Sequence, residues 1–165
     1  SRDLDSLEPN FKTLVEQLIT NMESRGFKTN VVSAYRSLDS QIEKFNEETS
    51  KTKYGYHNFL DSGGNPASQA VDLVDKSVGY GGEDPASSKH RKAAEYFKAL
   101  GEEARKLGFT GSGGIGRWGG DYSQSNPLWA AHGMGWDPAH VELKTTPGQT
   151  IAQATENARS AGYSV

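Results

Sequence analysis

The chain has 165 residues, which is the length of about one ordinary domain. Charged residues make up 24% and hydrophobic residues 34%, a balance typical of a polar globular protein rather than a disordered one. The formal net charge is -3, which gives no support for nucleic acid as the main partner, because such proteins carry basic patches.

The sequence lacks a predicted membrane span, a predicted signal peptide and cysteine, and each absence limits what the protein can be. The sequence contains no run of 18 apolar residues, so no membrane span is predicted. The start lacks a charged segment followed by an apolar one, so no signal peptide is expected, although a chain beginning at Ser1 is consistent with removal of a leader or a neighbouring domain. Without cysteine, any transition-metal site must use His, Asp or Glu.

The first half of the chain is predicted to contain two helices and two strands. Apolar residues spaced three and four apart predict a helix over 9–25, with Pro9 in its first turn. Val31, Val32 and Tyr35 favour a strand that ends near Arg36. The stretch 37–48 is typical of a short helix, 47–69 of a loop, and 69–75 of a second strand.

The second half is predicted to begin with a long helix over 87–108, with His90 on the surface near its start. Residues 110–135 are rich in glycine and are predicted to be irregular. A short strand over 138–143 and a final helix over 147–161 follow. Because these elements do not strictly alternate, we expect one α+β domain over 1–165, with a small antiparallel sheet flanked by helices.

Several familiar catalytic motifs are missing or misplaced. "GSGGIG" at 111–116 fits G-x-G-x-x-G, but it follows a predicted helix, whereas a dinucleotide site needs a strand before the motif and a helix after it. The sequence has no H-E-x-x-H, no P-loop and no G-x-S-x-G. We therefore predict neither a nucleotide site nor a serine-hydrolase elbow.

Two other stretches carry residues that bind metals. His57 and Asp72 lie within Gly55–Asp75, and His140 and Glu142 alternate with Val141, which places both on one face of a strand. Either histidine alone would more commonly be a hydrogen-bonded structural residue, and Asp72 alone a solvated acid. Together, His57, Asp72 and His140 would supply two imidazoles and a carboxylate, which leaves a tetrahedral zinc with one open position.

Four short motifs, in this order, resemble those of a known family. They are "SAYRS" at 33–37, His57 followed by "QAVDL" at 69–73, "RWGGD" at 117–121 and "DPAHVEL" at 137–143. The set resembles the zinc D-Ala-D-Ala carboxypeptidase and L-Ala-D-Glu endopeptidase family, the peptidoglycan peptidases that include phage endolysins. The resemblance covers about residues 4–145.

The resemblance implies a role for each matching residue. His57, Asp72 and His140 would hold Zn²⁺ in a central cleft. Asp137 would be the catalytic base, and Arg36 would lie near the substrate carbonyl.

Four more residues have open roles. Glu142 is an alternative base, or a partner that orients a ligand imidazole. Trp118 and Asp121 belong to a stretch that lines the site in relatives. His132 would contact substrate or stabilise the oxyanion, or would simply be exposed.

The sequence also departs from the family's pattern. Fourteen residues separate His57 from Asp72, more than in the family, and Gly55 and Ser68 replace the motif's serine and glycine. We interpret "LDSGGNPA" at 60–67 and "SQSNPLWAAHGMG" at 123–135 as insertions. Both are expected to rim the cleft and to affect substrate specificity.

The expected function is zinc-dependent hydrolysis of the stem peptide of peptidoglycan, with L-Ala-D-Glu endopeptidase as the leading alternative. A D-Ala-D-Ala or L,D carboxypeptidase is the second alternative, and it would need an additional cation such as Arg117 or Lys144 near the cleft. A non-catalytic wall-binding module is the third. We expect a monomer at the cell envelope, in the periplasm or cell wall, or one delivered there by a phage or a secretion system.

Overall fold

The fold begins with a helix that the sequence predicts well. The computed structural model describes residues 1–41 and 54–165. In it, α1 spans Pro9–Ser24, and the Glu8 carboxylate accepts hydrogen bonds from the backbone N–H groups of Asn10 and Phe11 at its start. Its apolar stripe is fully buried and consists of Phe11, Val15, Leu18 and Met22.

A second long helix packs against the first. Helix α2 spans Ser88–Lys106, and the Ser87 hydroxyl accepts a hydrogen bond from the backbone N–H of His90. α1 and α2 contact each other, and α2 also contacts the sheet. The expectation that His90 lies on the surface is wrong. Its side chain is fully buried and stacks on the Trp129 ring, with the two ring centroids 5.0 Å apart.

Four short strands form one antiparallel sheet. They are β1 (Thr29–Ser33), β2 (Ala70–Asp75), β3 (Gly116–Trp118) and β4 (His140–Leu143), and their order across the sheet is β1-β2-β4-β3. The structure therefore confirms the α+β class with a small antiparallel sheet and flanking helices. The first strand ends at Ser33, after a register irregularity, rather than near Arg36.

One face of the sheet is apolar and the other is polar. Val71 pairs with Val141 on the face that joins the buried core beneath α1 and α2. On the opposite face, Asp72 pairs with His140, and Arg117 pairs with Glu142. Since successive side chains of a strand point to opposite faces, the strands that build the core also present a row of polar groups.

The stretch 110–135 is more ordered than its glycine content predicts. It contains β3 and a short helix, α3, at Pro127–Ala130, which begins where the Asn126 side chain accepts a hydrogen bond from the Leu128 N–H. β3 has only three residues and so shows no periodicity; its pairing with β4 defines it. The last helix, α4, spans Ile151–Ser160.

One predicted element falls mostly outside the described part of the chain. The helix expected over 37–48 is helical at 38–41 and not at 37, and 42–48 lie outside the described residues. Within 1–41 and 54–165, no helix combines the length and apolar character needed to cross a bilayer.

Candidate metal centre and active site

The polar face of the sheet provides two of the three predicted ligands. Asp72 on β2 and His140 on β4 are direct partners across the antiparallel ladder. His140 Nδ1 lies 3.1 Å from Asp72 Oδ1. The strand pairing therefore sets this contact, because both residues belong to the same face of paired strands.

His57 approaches the same carboxylate from outside the sheet. It lies in a helical turn, Tyr56–Asn58, where its Nδ1–H donates to the carbonyl of Ala34 at 2.7 Å. Its Nε2 lies 3.4 Å from Asp72 Oδ2. The turn is fixed to the segment after β1, since the Arg36 N–H donates to the His57 carbonyl at 2.8 Å and the Asn58 amide donates to the Arg36 carbonyl at 2.8 Å.

The three side chains have the geometry of a metal site. One ligand atom from each of His57, Asp72 and His140 lies within 4.8 Å of the other two. His57 Nδ1 faces a carbonyl, and His140 Nε2 lies 2.8 Å from Glu142 Oε1, so both of these nitrogens carry their protons. The remaining nitrogens, His57 Nε2 and His140 Nδ1, therefore point their lone pairs toward Asp72 unless a proton or a cation lies between.

This arrangement fits Zn²⁺. Two imidazole nitrogens and one carboxylate oxygen are ligands that zinc prefers, and three protein ligands leave a position open. In zinc sites, a ligand histidine commonly donates its other N–H to a carbonyl or a carboxylate, as His57 does to Ala34 and His140 to Glu142. The three ligand side chains therefore fit zinc, and so do the acceptors of the second N–H group of each histidine.

The electrostatics also favour a cation. Burial alone would raise the pKa of Asp72, but the hydrogen bonds from His140 and His57 hold it well below its ordinary range. Burial likewise raises the pKa of Glu142, yet His140 and Arg117 lower it to about 2. Burial lowers the pKa of His140, while its hydrogen bonds with both acids raise it to about 10. Both carboxylates are thus anionic at neutral pH and favour a positive charge at His140 Nδ1, either a proton or a metal ion.

Glu142 contacts His140, Arg117 and Tyr122, and it lies at the ring nitrogen of His140 that is not next to Asp72. Arg117 contacts Glu142 Oε2 through Nη2 at 2.9 Å and Nε at 3.2 Å, and the Tyr122 hydroxyl lies 3.0 Å from Oε1. The side chain is 5% exposed. These contacts suit a residue that orients His140, and they leave no free oxygen for an incoming water.

Asp137 lies at the edge of the ligand cluster and is more accessible. Its Oδ2 is 3.9 Å from His140 Nδ1, and its side chain is 29% exposed. Burial and the negative charges of Asp72 and Glu142 raise its pKa, against the opposing effect of the two histidines. A carboxylate with a raised pKa at the edge of the ligand cluster suits a group that accepts and returns a proton.

Arg36 presents a cation to the same cleft. Its Nη1 donates to Gln41 Oε1 at 2.9 Å, and its Nη2 lies 3.4 Å from the Ser33 hydroxyl. Within residues 1–41 and 54–165, none of its hydrogen-bond partners is a carboxylate. These two neutral partners orient the guanidinium, and a cation in the cleft can stabilise negative charge on a bound molecule.

The ligand cluster lies in a cleft of about 650 Å³. Arg36, His57, Asp72, Asp137, His140 and Glu142 all line it. Aromatic and apolar side chains form much of the remaining wall; they are Tyr54, Tyr56, Tyr80, Tyr122, Trp136 and Ile151. Tyr80 and Ile151 are both about half exposed, at 48% and 52%, a property that no periodicity in the sequence would reveal.

Three of the predicted site residues lie elsewhere. Trp118 is buried among core residues, and its indole N–H donates to the Pro138 carbonyl at 2.7 Å. Asp121 pairs with Arg105 on α2 at 2.9 Å. His132 Nε2 lies 2.9 Å from His90 Nε2. None of the three is among the residues found to line the cleft.

The two insertions also contribute no residue to the described cleft lining, contrary to the expectation that they rim it. In 60–67, the Leu60 and Ala67 side chains are buried, and the Asp61 carboxylate accepts hydrogen bonds from the backbone of Gly63 and Asn65. In 123–135, Trp129 and Met134 are buried in the core. Both segments therefore bury apolar side chains inside the protein.

The comparison with known proteins finds similarity only at the level of solved structures. No protein-family model and no curated protein sequence matches this chain. Among solved structures, the chain resembles the L-Ala D-Glu endopeptidase ChiX of Serratia marcescens, with a TM-score of 0.53 and 19% identity, over 86% of this chain and 83% of that chain.

A second solved structure has a lower score. It is the vancomycin resistance D,D-dipeptidase VanXYg in complex with a D-Ala-D-Ala phosphinate analog, with a TM-score of 0.42 and 16% identity, over 96% of this chain and 56% of that chain. The likeness to ChiX, which has the higher TM-score, confirms the fold that the four sequence motifs implied.

Proposed function

We propose that this chain is a zinc-dependent peptidase that cleaves the stem peptide of peptidoglycan, and specifically an L-Ala-D-Glu endopeptidase. The observation that carries this proposal is the cluster of His57, Asp72 and His140 in a cleft that also contains Asp137 and Arg36. The shared fold with an L-Ala D-Glu endopeptidase supports it.

Each residue has a distinct part in the proposed reaction. His57, Asp72 and His140 would hold the zinc, which when bound polarises water and lowers its pKa toward about 7. Asp137 accepts a proton from the attacking water and returns it to the leaving amine. Arg36 donates hydrogen bonds to the carbonyl oxygen as negative charge develops there. Glu142 keeps the Nε2 proton on His140 and so fixes the ring's orientation.

Neither Arg117 nor Lys144, the two cations expected for a carboxypeptidase, supports that alternative. A carboxypeptidase binds a free terminal carboxylate and needs a cation for it. Arg117 lines the cleft, but its Nε and Nη2 both contact Glu142. Lys144, the other candidate cation, is not among the described lining residues.

We further propose that residues 1–165 act as a single, monomeric domain at the cell envelope. The substrate requires this location, whether the chain is native to the periplasm or wall or is delivered there by a phage or a secretion system.

Mass spectrometry of purified peptidoglycan, digested with the zinc-loaded protein, tests the proposal. New fragments that begin with D-Glu are expected, and His140→Ala should produce none. Loss of the terminal D-Ala alone would identify a carboxypeptidase instead. The complete absence of a zinc-dependent product would contradict the peptidase assignment and favour a wall-binding module.

A further inference from the structure

The motif Trp118–Asp121 contacts the segment that carries Asp137. The indole N–H of Trp118 donates to the Pro138 carbonyl at 2.7 Å. On the other side of Asp137, the Gly135 N–H donates to the Gly120 carbonyl at 2.7 Å. Two hydrogen bonds from one motif therefore hold the backbone on both sides of the proposed base.

Gly119 packs directly against the segment that carries Asp137. A Cβ at this position would overlap the carbonyl oxygen of Asp137 and would lie 3.0 Å from the Asp137 Cβ. Gly119 has no left-handed backbone angle, so the requirement for glycine here is one of space. The Asp137 carbonyl also accepts a hydrogen bond from the His140 N–H at 3.1 Å, which connects this contact to a proposed metal ligand.

The Trp118 ring is itself held firmly. A Cβ at Gly101 on α2 would lie 2.5 Å from the ring, and a Cβ at Gly120 would overlap it. Two glycines thus allow the ring to pack directly against α2 and against its own motif. Because the side chain is only 8% exposed, the ring is fixed relative to the core.

We propose that Trp118, Gly119 and Gly120 form a seat that positions Asp137 for proton transfer. The proposal rests on the proposed function, in which Asp137 is the base. The seat acts through the backbone at Gly135, Asp137 and Pro138, and its own three residues are not among the described residues that line the cleft. It gives "WGGD" a positioning role in place of the cleft-lining role expected from the sequence.

Steady-state kinetics of two variants test the seat. Trp118→Phe removes the indole N–H but keeps a ring, and Gly119→Ala introduces the Cβ. We expect kcat to fall about 10-fold for Trp118→Phe, which is the loss of one hydrogen bond. For Gly119→Ala we expect about 100-fold, because small displacements of a catalytic group have effects of this size. KM and zinc content should stay within about twofold of wild type for both.

Trp129→Phe is the matched control. Trp129 is also a buried tryptophan, but it packs against His90 and Phe97 and is not among the described residues that line the cleft. Its kcat should remain within about twofold of the wild-type value. Equal losses of kcat in Trp118→Phe and Trp129→Phe would overturn the proposal, as would a rise in KM at unchanged kcat.

A double-mutant cycle separates positioning of Asp137 from any other effect. In an Asp137→Ala background, neither Trp118→Phe nor Gly119→Ala should lower the residual rate further. Additive losses would show that the motif acts on something other than Asp137 and would overturn the seat.

Hydrogen exchange tests the seat without requiring activity. Trp118→Phe and Gly119→Ala should both accelerate exchange of the Gly135 and His140 amides, and Trp129→Phe should not. Unchanged exchange in both variants would refute the seat. These exchange effects in the two variants, combined with no turnover by the wild-type protein, would instead contradict the proposed function alone.

Discussion

His140 lies between two carboxylates, and these have different environments. Asp72 faces Nδ1 and is shared with His57, whereas Glu142 faces Nε2 and is held by Arg117 and Tyr122. The first carboxylate can bind a metal together with both rings. The second can only orient one of them.

The first prediction concerns Glu142. Glu142→Ala removes the acceptor for the His140 Nε2–H, so the ring loses its fixed orientation. We expect zinc affinity to fall about 10- to 100-fold. Competition with a chromogenic chelator measures this loss. Glu142→Gln, which keeps a side-chain oxygen, is the matched variant and should lose less; equal affinity for wild type and Glu142→Ala would contradict the orienting role.

The second prediction concerns Asp137. Asp137→Ala should retain stoichiometric zinc, because none of the three clustered ligand atoms belongs to this residue. Its kcat should fall about 10²- to 10⁴-fold, since a positioned general base contributes this much. Metal analysis and turnover on peptidoglycan fragments check the two statements separately. A near-wild-type kcat would rule out Asp137 as the base.

At the scale of elements, a buried acid connects the two long helices. Glu103 on α2 is 5% exposed and contacts Arg25, just after α1, at 2.9 Å and Lys106 at 3.1 Å. Burial raises the pKa of Glu103, but the hydrogen bonds from Arg25 and Lys106 lower it below its ordinary value. The ionised form is therefore stabilised by folding.

The third prediction follows from the sign of that shift. A carboxyl whose pKa is lower in the folded state stabilises the protein above its unfolded pKa, and the stabilisation disappears as the pH falls through the folded value. Glu103→Gln should lower the free energy of unfolding by about 1.5–3 kcal/mol at pH 7, as expected for a hydrogen bond to a charged group. Urea denaturation at pH 7 and at acid pH measures the difference, which should shrink on acidification. A difference that is the same at both pH values would contradict the ionic contribution.

At the scale of the whole molecule, the proposed metal centre joins three segments that are distant in sequence. His57 comes from a turn after residue 54, Asp72 from β2 and His140 from β4. Only the folded chain brings these ligands together, so a metal that binds them stabilises the folded state over the unfolded one.

The fourth prediction is that zinc raises the thermal stability. At a free concentration of about 1,000 times Kd, it should add about 4 kcal/mol, or ~10 °C in Tm for a chain of this length. Differential scanning calorimetry with and without a chelator measures the shift. His57→Ala removes one ligand and should abolish most of it. A full shift in that variant would exclude His57 from the metal site.

The sequence alone determined the parts that depend on local patterns. The apolar spacing of three and four residues defined α1 and α2, and alternation defined β2 and β4, because each pattern lies within one short window. The ordered motifs also selected His57, Asp72 and His140, which the structure brings together. Their roles as ligands await the measurements above.

Only the tertiary structure decided the features that depend on distant contacts. His140 and Asp72 are 68 positions apart, and Trp118 and Pro138 are 20 apart, so no local window contains either pair. β3 has too few residues for a period of its own and exists through pairing with β4. The burial of His90 and the inward packing of both insertions likewise result from core formation, in which apolar surface from separate segments is removed from water together.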